Sequence, residues 1–125
     1  MRVAFKLLPP KTTDFILLFC YVARVQPLRI ASVSELPRLG ELREFRVDRM
    51  LICIANVNGK YTALSGVCPH KAGPLAEGSI EADNLVCPWH GWEFRIADGQ
   101  CVNRPGASVK VFRLVIHGDD VFLEL

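Results

Sequence analysis

From Leu28 onward, short apolar runs broken by turn residues follow one another along the chain, the pattern of an all-β domain. Residues 29–33 predict a first strand. Ser34-Glu35-Leu36-Pro37 predicts a capped helical turn stopped by proline, and residues 44–47 a second strand. Met50–Val57 and Lys60–Ser65 flank Asn58-Gly59, a dipeptide that tolerates positive φ at both turn positions, so a tight hairpin is expected there. Between residues 66 and 106 the composition shifts to glycine, proline, cysteine, histidine and tryptophan. Short strands are expected there only at residues 85–86 and 92–96, so this stretch reads as an insert built for loops. Strand character returns at residues 109–116 and 121–125, joined by a tight turn at Gly118-Asp119. The pattern contains no long helix, internal repeat, low-complexity stretch or heptad.

Residues 1–27 differ in character. Arg2, Lys6 and Lys11 precede an apolar run of about nine residues from Phe15 to Ala23, well short of the roughly 20 needed to cross a bilayer. A signal peptide is the alternative, but no small-residue cleavage site follows the run and no twin-arginine pair precedes it. The segment is therefore read as an N-terminal extension, with residues 28–125 as the domain. A cytoplasmic location without a membrane span is the expectation.

At 125 residues, half of them apolar, the chain can build one proper core. A formal charge of +2, from 15 Lys and Arg against 13 Asp and Glu, is too small and too scattered to suggest a nucleic-acid surface. Five cysteines is an odd number, and a chain of this length does not need disulfides to fold, so metal binding explains two of them better than a stapled framework does.

The candidate chemistry lies in the insert, where Cys68-Pro69-His70 is followed by Cys87-Pro88-Trp89-His90. Each half offers one thiolate and one imidazole, as expected of two loops facing each other across a metal centre. A tetrahedral Cys₂His₂ zinc site, as in a structural or interaction module, is one reading. Its usual spacing groups the two cysteines and places the histidines on a helix, which this sequence does not do. The mixed order suits a two-iron cluster in which one iron takes both cysteines and the other both histidines.

With Gly73-Pro74-Leu75 and Cys87-Pro88-Trp89-His90-Gly91-Trp92 around them, these motifs resemble the Rieske family, and the likeness runs from about residue 29 to the C terminus. The resemblance implies an antiparallel β-sandwich with a small loop-rich cluster-binding subdomain at about residues 66–106. It also implies one [2Fe–2S] cluster, held by Cys68 and Cys87 on the buried iron and by His70 and His90 on the outer iron. Two Fe³⁺, two sulfides and two thiolates sum to zero charge with neutral histidines. Reduction therefore reaches only −1, which raises the potential above that of a four-cysteine cluster.

Respiratory Rieske proteins carry an extra cysteine in each loop and a serine after the second His-Gly. Here Gly73, Trp89 and Trp92 occupy those neighbourhoods, which places the expected potential near the low end of the family range. Gly66, Gly73, Gly78 and Gly91 are candidates for tight turns that bring N–H groups to the sulfides, and Pro105-Gly106 resembles the family's third, covering loop. Cys20, Cys53 and Cys101 read as small apolar residues, His117 as a solvated turn residue, and Glu77, Glu81 and Asp83 as a hydrophilic loop or an acidic docking rim.

Once His70 and His90 are used, only His117 remains, so the chain is not expected to build the two-histidine, one-carboxylate iron site of an oxygenase. Two roles follow from the resemblance. One is a ferredoxin passing electrons from a flavin-dependent reductase to a terminal oxygenase. The other is the small subunit of an assimilatory NAD(P)H nitrite reductase, bound to its large subunit.

Overall fold

In the computed structural model, residues 27–124 are described. The readings of residues 1–26, Cys20 among them, lie outside this range. The described residues form nine antiparallel strands: β1 Pro27–Ser32, β2 Leu42–Val47, β3 Met50–Val57, β4 Lys60–Ser65, β5 Ser79–Glu81, β6 Asn84–Val86, β7 Glu93–Arg95, β8 Val111–His117 and β9 Asp120–Glu124. Six of them make one sheet in the order β1-β9-β8-β4-β3-β2, and β5-β6-β7 make a second, smaller sheet. The expected all-β class is the observed one.

The Asn58-Gly59 hairpin forms as its turn chemistry dictates. Both residues adopt positive φ, 54° and 89°, and Val57 pairs with Lys60 across the turn. β3 and β4 are the structural centre, and their side chains alternate between two cores. Ile52, Ile54 and Ala63 join Ala31, Val47, Phe112, Val121 and Leu123 on one face of the large sheet. Cys53, Ala55 and Leu64 point to the other face and pack with Leu75, Leu85, Phe94, Ile96, Val109 and the insert's Cys68 and Cys87. This double burial is why β3 reads as a nearly continuous apolar run. The insert is thus a second layer laid over one face of β3 and β4.

Three expectations are corrected. The helical turn spans Val33–Glu35, one residue earlier than predicted. Ser32, not Ser34, precedes it, and its N–H donates to Glu35 Oε1 at 2.7 Å. Strand β5 was not anticipated. Residues 109–110 precede β8 instead of beginning it, because the Val109 N–H donates to Gly99 O at 2.8 Å, which ties this residue to the insert.

Candidate metal centre

The two motif loops close in the same way. The Cys68 N–H donates to Gly73 O at 2.9 Å, and the Cys87 N–H donates to Trp92 O at 2.7 Å, so each cysteine is pinned by the carbonyl five residues on. Loop one leaves β4 at Gly66 and re-enters at Pro74-Leu75. Loop two runs directly from β6 into β7. Each loop needs one non-glycine residue in the left-handed region, Ala72 at φ 59° and His90 at φ 71°. Strain of this kind persists only where surrounding structure enforces it, typically at functional sites.

This shared closure sorts the four candidate donors by depth. Cys68 and Cys87 are each 1% exposed in the core beneath the loops. Burial raises the Cys68 thiol pKa, and the neighbouring Cys87 raises it further through a side-chain hydrogen bond, while the His70 N–H donates to the Cys68 sulfur and opposes both. An N–H aimed at a sulfur is suited to stabilising a thiolate. Cys53 shows what burial does without such provision: desolvation, with Glu44 adding to it, pushes its pKa up to about 12.

Above the thiols, the rings of His70 and His90 meet edge to face with centroids 4.6 Å apart. His70 is half-buried and His90 exposed. The Nδ1 atom of His70 is buried and has no hydrogen-bond partner, and a metal ion bound to its lone pair would satisfy it. Desolvation, followed by His90, Lys71 and Arg104, lowers the His70 pKa and so favours the neutral, ligating imidazole.

The arrangement is one pair of sulfurs below and one pair of imidazoles above. Among the described residues, no group of three or more His, Cys, Asp or Glu side chains is placed to hold a metal ion. A [2Fe–2S] group of the mixed-ligand kind takes one thiolate pair and one imidazole pair, which is the donor set present in these two loops.

Packing around the pairs is partly as anticipated. Trp92 stacks on His70 at 4.6 Å between centroids with a 20° interplanar angle, and Trp89 lies over Gly73, where an added Cβ would meet the indole at 3.1 Å. Trp89 itself is 46% exposed, so it roofs the first loop while remaining open to water. Gly66 and Gly78 do not serve the sulfurs with their N–H groups, which donate to Leu51 O and Leu75 O. Pro105-Gly106 forms a turn in which the Ala107 N–H donates to Arg104 O and Gly106 has φ 91°, the signature of a type II turn.

Sequence reasoning missed Asn103. Its Nδ2 donates to Gly91 O at 3.0 Å and its Oδ1 accepts from the Glu93 N–H at 3.1 Å, so this third loop is bolted to the end of loop two. Cys101 Sγ also lies 3.3 Å from that Oδ1. An asparagine beside a Pro-Gly turn was the only available signal. His117, half-buried at the end of β8 opposite Asp120, stands in the large sheet outside the insert.

The comparisons with known proteins agree with this geometry. The family model described as the Rieske [2Fe–2S] domain matches residues 26–113. The ferredoxin component of the alkene monooxygenase system of Xanthobacter autotrophicus is 31% identical over 85 residues, covering 67% of this chain and 70% of that protein. The oxygenase component of a probable 3-ketosteroid-9-alpha-monooxygenase from Rhodococcus rhodochrous is 39% identical over 78 residues, but this chain spans only 19% of its length. Among solved structures, the Sphingomonas yanoikuyae B1 ferredoxin superposes with a TM-score of 0.72 at 24% identity, over 80% of this chain and 99% of that one. At that identity the likeness speaks for the fold.

Proposed function

The chain belongs to the Rieske [2Fe–2S] domain family and carries one Rieske-type cluster, and from that premise we propose that it is the ferredoxin component of an oxygenase system. In this reading Cys68, His70, Cys87 and His90 are the ligands. The single observation that carries it is the sorting by depth: two thiols buried in the core and two imidazoles touching each other at the surface.

When bound, the cluster accepts and releases one electron at a time. The protein's own residues do the rest. Cys68 and Cys87, fixed by the matching backbone closures, would hold the group against the β3–β4 layer and keep one side dry. His70, with its ring held by Trp92, and the exposed His90 would offer the short path by which an electron enters and leaves.

A flavin-dependent reductase would supply the electrons and a terminal oxygenase would take them. The 70% coverage of a ferredoxin component supports a mobile carrier over the fixed small subunit of a nitrite reductase. A cytoplasmic location belongs to the same proposal. The free state of Cys53 and Cys101 suits a reducing compartment, and among the described residues no helix is long and apolar enough to cross a membrane.

Affinity capture from native extract tests this role. A weak, salt-sensitive encounter with a flavoprotein reductase is the expected result, since transient redox interfaces are small. A stable stoichiometric complex with a sirohaem-containing polypeptide would overturn it.

A further inference from the structure

The three loops at the cluster end, residues 66–76, 87–92 and 99–108, contain two charged side chains, Lys71 and Arg104, and are bounded by Glu77, Glu93 and Asp98. Both cations are exposed, and among the described residues neither forms a salt bridge. Arg104 is held in place: its guanidinium lies 5.6 Å over the Trp92 ring, which also stacks on His70, and its Nη1 donates to Asn103 O at 2.8 Å. A fixed positive charge therefore stands one aromatic ring away from an imidazole of the electron port.

The same loops carry exposed apolar side chains. Trp89 and Val102 are each 46% exposed, and Pro105 is exposed as well. Large exposed apolar side chains on the loops of a functional port mark a contact surface. Of the insert's acids, Glu93 accepts from Asn84 Nδ2 at 2.8 Å, Asp98 is paired with Arg95 at 2.7 Å, and Glu77 is exposed at the end of loop one. Glu81 and Asp83 sit at the β5–β6 turn, the end of β6 away from Cys87. The field is thus local, on a chain whose formal net charge is only +2.

We propose that this end of the molecule, through the exposed Trp89, Val102 and Pro105 of its loops and the cations Lys71 and Arg104, docks on a redox protein that presents carboxylates around its own electron port. The proposal rests on the carrier reading above and names the partner's surface chemistry. Rim cations of this kind act mainly on the association rate and its salt dependence, which suits a carrier that must bind and leave quickly.

The test uses the full, cluster-loaded and reduced chain in stopped-flow mixing with two haem proteins of opposite rim charge, the acidic cytochrome b5 and the basic cytochrome c. In each encounter one electron leaves the reduced chain and reduces one ferric haem to ferrous. Transfer to the acidic protein is expected to slow about fivefold or more between low and high ionic strength. It should slow as much in Lys71→Glu/Arg104→Glu, while transfer to the basic protein speeds up. Arg38→Glu/Lys60→Glu makes the same change in net charge at the opposite, Asn58-Gly59 end of β3 and should leave both rates near wild type. If charge reversal at Lys71 and Arg104 removes the cluster, judged by its absorption and EPR spectra, Lys71→Gln/Arg104→Gln serves instead with a smaller effect of the same sign.

Equal effects from the two charge-reversal pairs, or salt-independent transfer to both haem proteins, would overturn the docking surface and leave the carrier reading intact. A loaded wild-type chain that passes electrons to neither protein would overturn both.

Discussion

The imidazole of His70 lies nearly flat against the indole of Trp92, with ring centroids 4.6 Å apart and planes 20° from parallel. Trp92 also supplies the carbonyl that pins Cys87 and the face beneath Arg104. The last residue of loop two thus fixes a proposed ligand from each loop. Trp92→Phe keeps a ring to stack on, whereas Trp92→Ala frees His70. The expected outcome is near-normal cluster retention in the first variant and several-fold faster bleaching of the cluster's visible absorption in the second, measured at constant temperature in air.

Asn103 joins the third loop to the second through two hydrogen bonds to backbone groups. Replacing it by alanine leaves the Gly91 carbonyl and the Glu93 N–H to find water, at a cost of about 1–3 kcal/mol. Asn103→Asp keeps the acceptor for Glu93 and loses only the donor to Gly91. Denaturant unfolding should rank wild type above the aspartate variant and that above alanine.

Two glycines of the insert separate by what they face. A Cβ on Gly78 would run into the carbonyl oxygen of Val86, a backbone atom that cannot turn aside, while one on Gly73 would meet only the Trp89 indole. Gly78→Ala is expected to destabilise the fold severely, by several kcal/mol. Gly73→Ala should fold, with a modest loss offset by a small shift of Trp89 and visible as a change in tryptophan fluorescence.

Much of this was legible in the sequence because it is local. The Asn58-Gly59 turn chooses its own hairpin, and the Cys-x-His and Cys-x-x-His spacings mark the candidate donor loops without reference to anything distant. What stayed hidden depends on partners far along the chain. Ser79–Glu81 is too short and too polar to show a strand pattern, and it exists because Ile80 pairs with Leu85. Val109 looks like the start of a strand but spends its N–H on Gly99. Asn103 carries no motif, since its role is set by where Gly91 and Glu93 happen to stand.

Cys53 gives a pH prediction. Its folded pKa of about 12 lies above the ordinary thiol value, so the thiol form is the one the fold favours. The stability this contributes is intact below the unfolded pKa of about 8.5 and is lost as pH rises from there towards 12. Cys53→Ala should therefore show a shallower fall in thermal midpoint between neutral and alkaline pH than wild type. In the native chain Cys53 should resist alkylation until the protein unfolds.

The most direct test of the account is the cofactor content and EPR spectrum of freshly purified, anaerobically handled protein, alongside Cys68→Ser, His70→Ala, Cys87→Ser and His90→Ala. The prediction is two irons and two sulfides per chain, a rhombic Rieske-type signal on reduction, and loss of that signal in all four variants. A colourless protein holding equimolar zinc and no sulfide, or a normal signal surviving in any one of the variants, would contradict it.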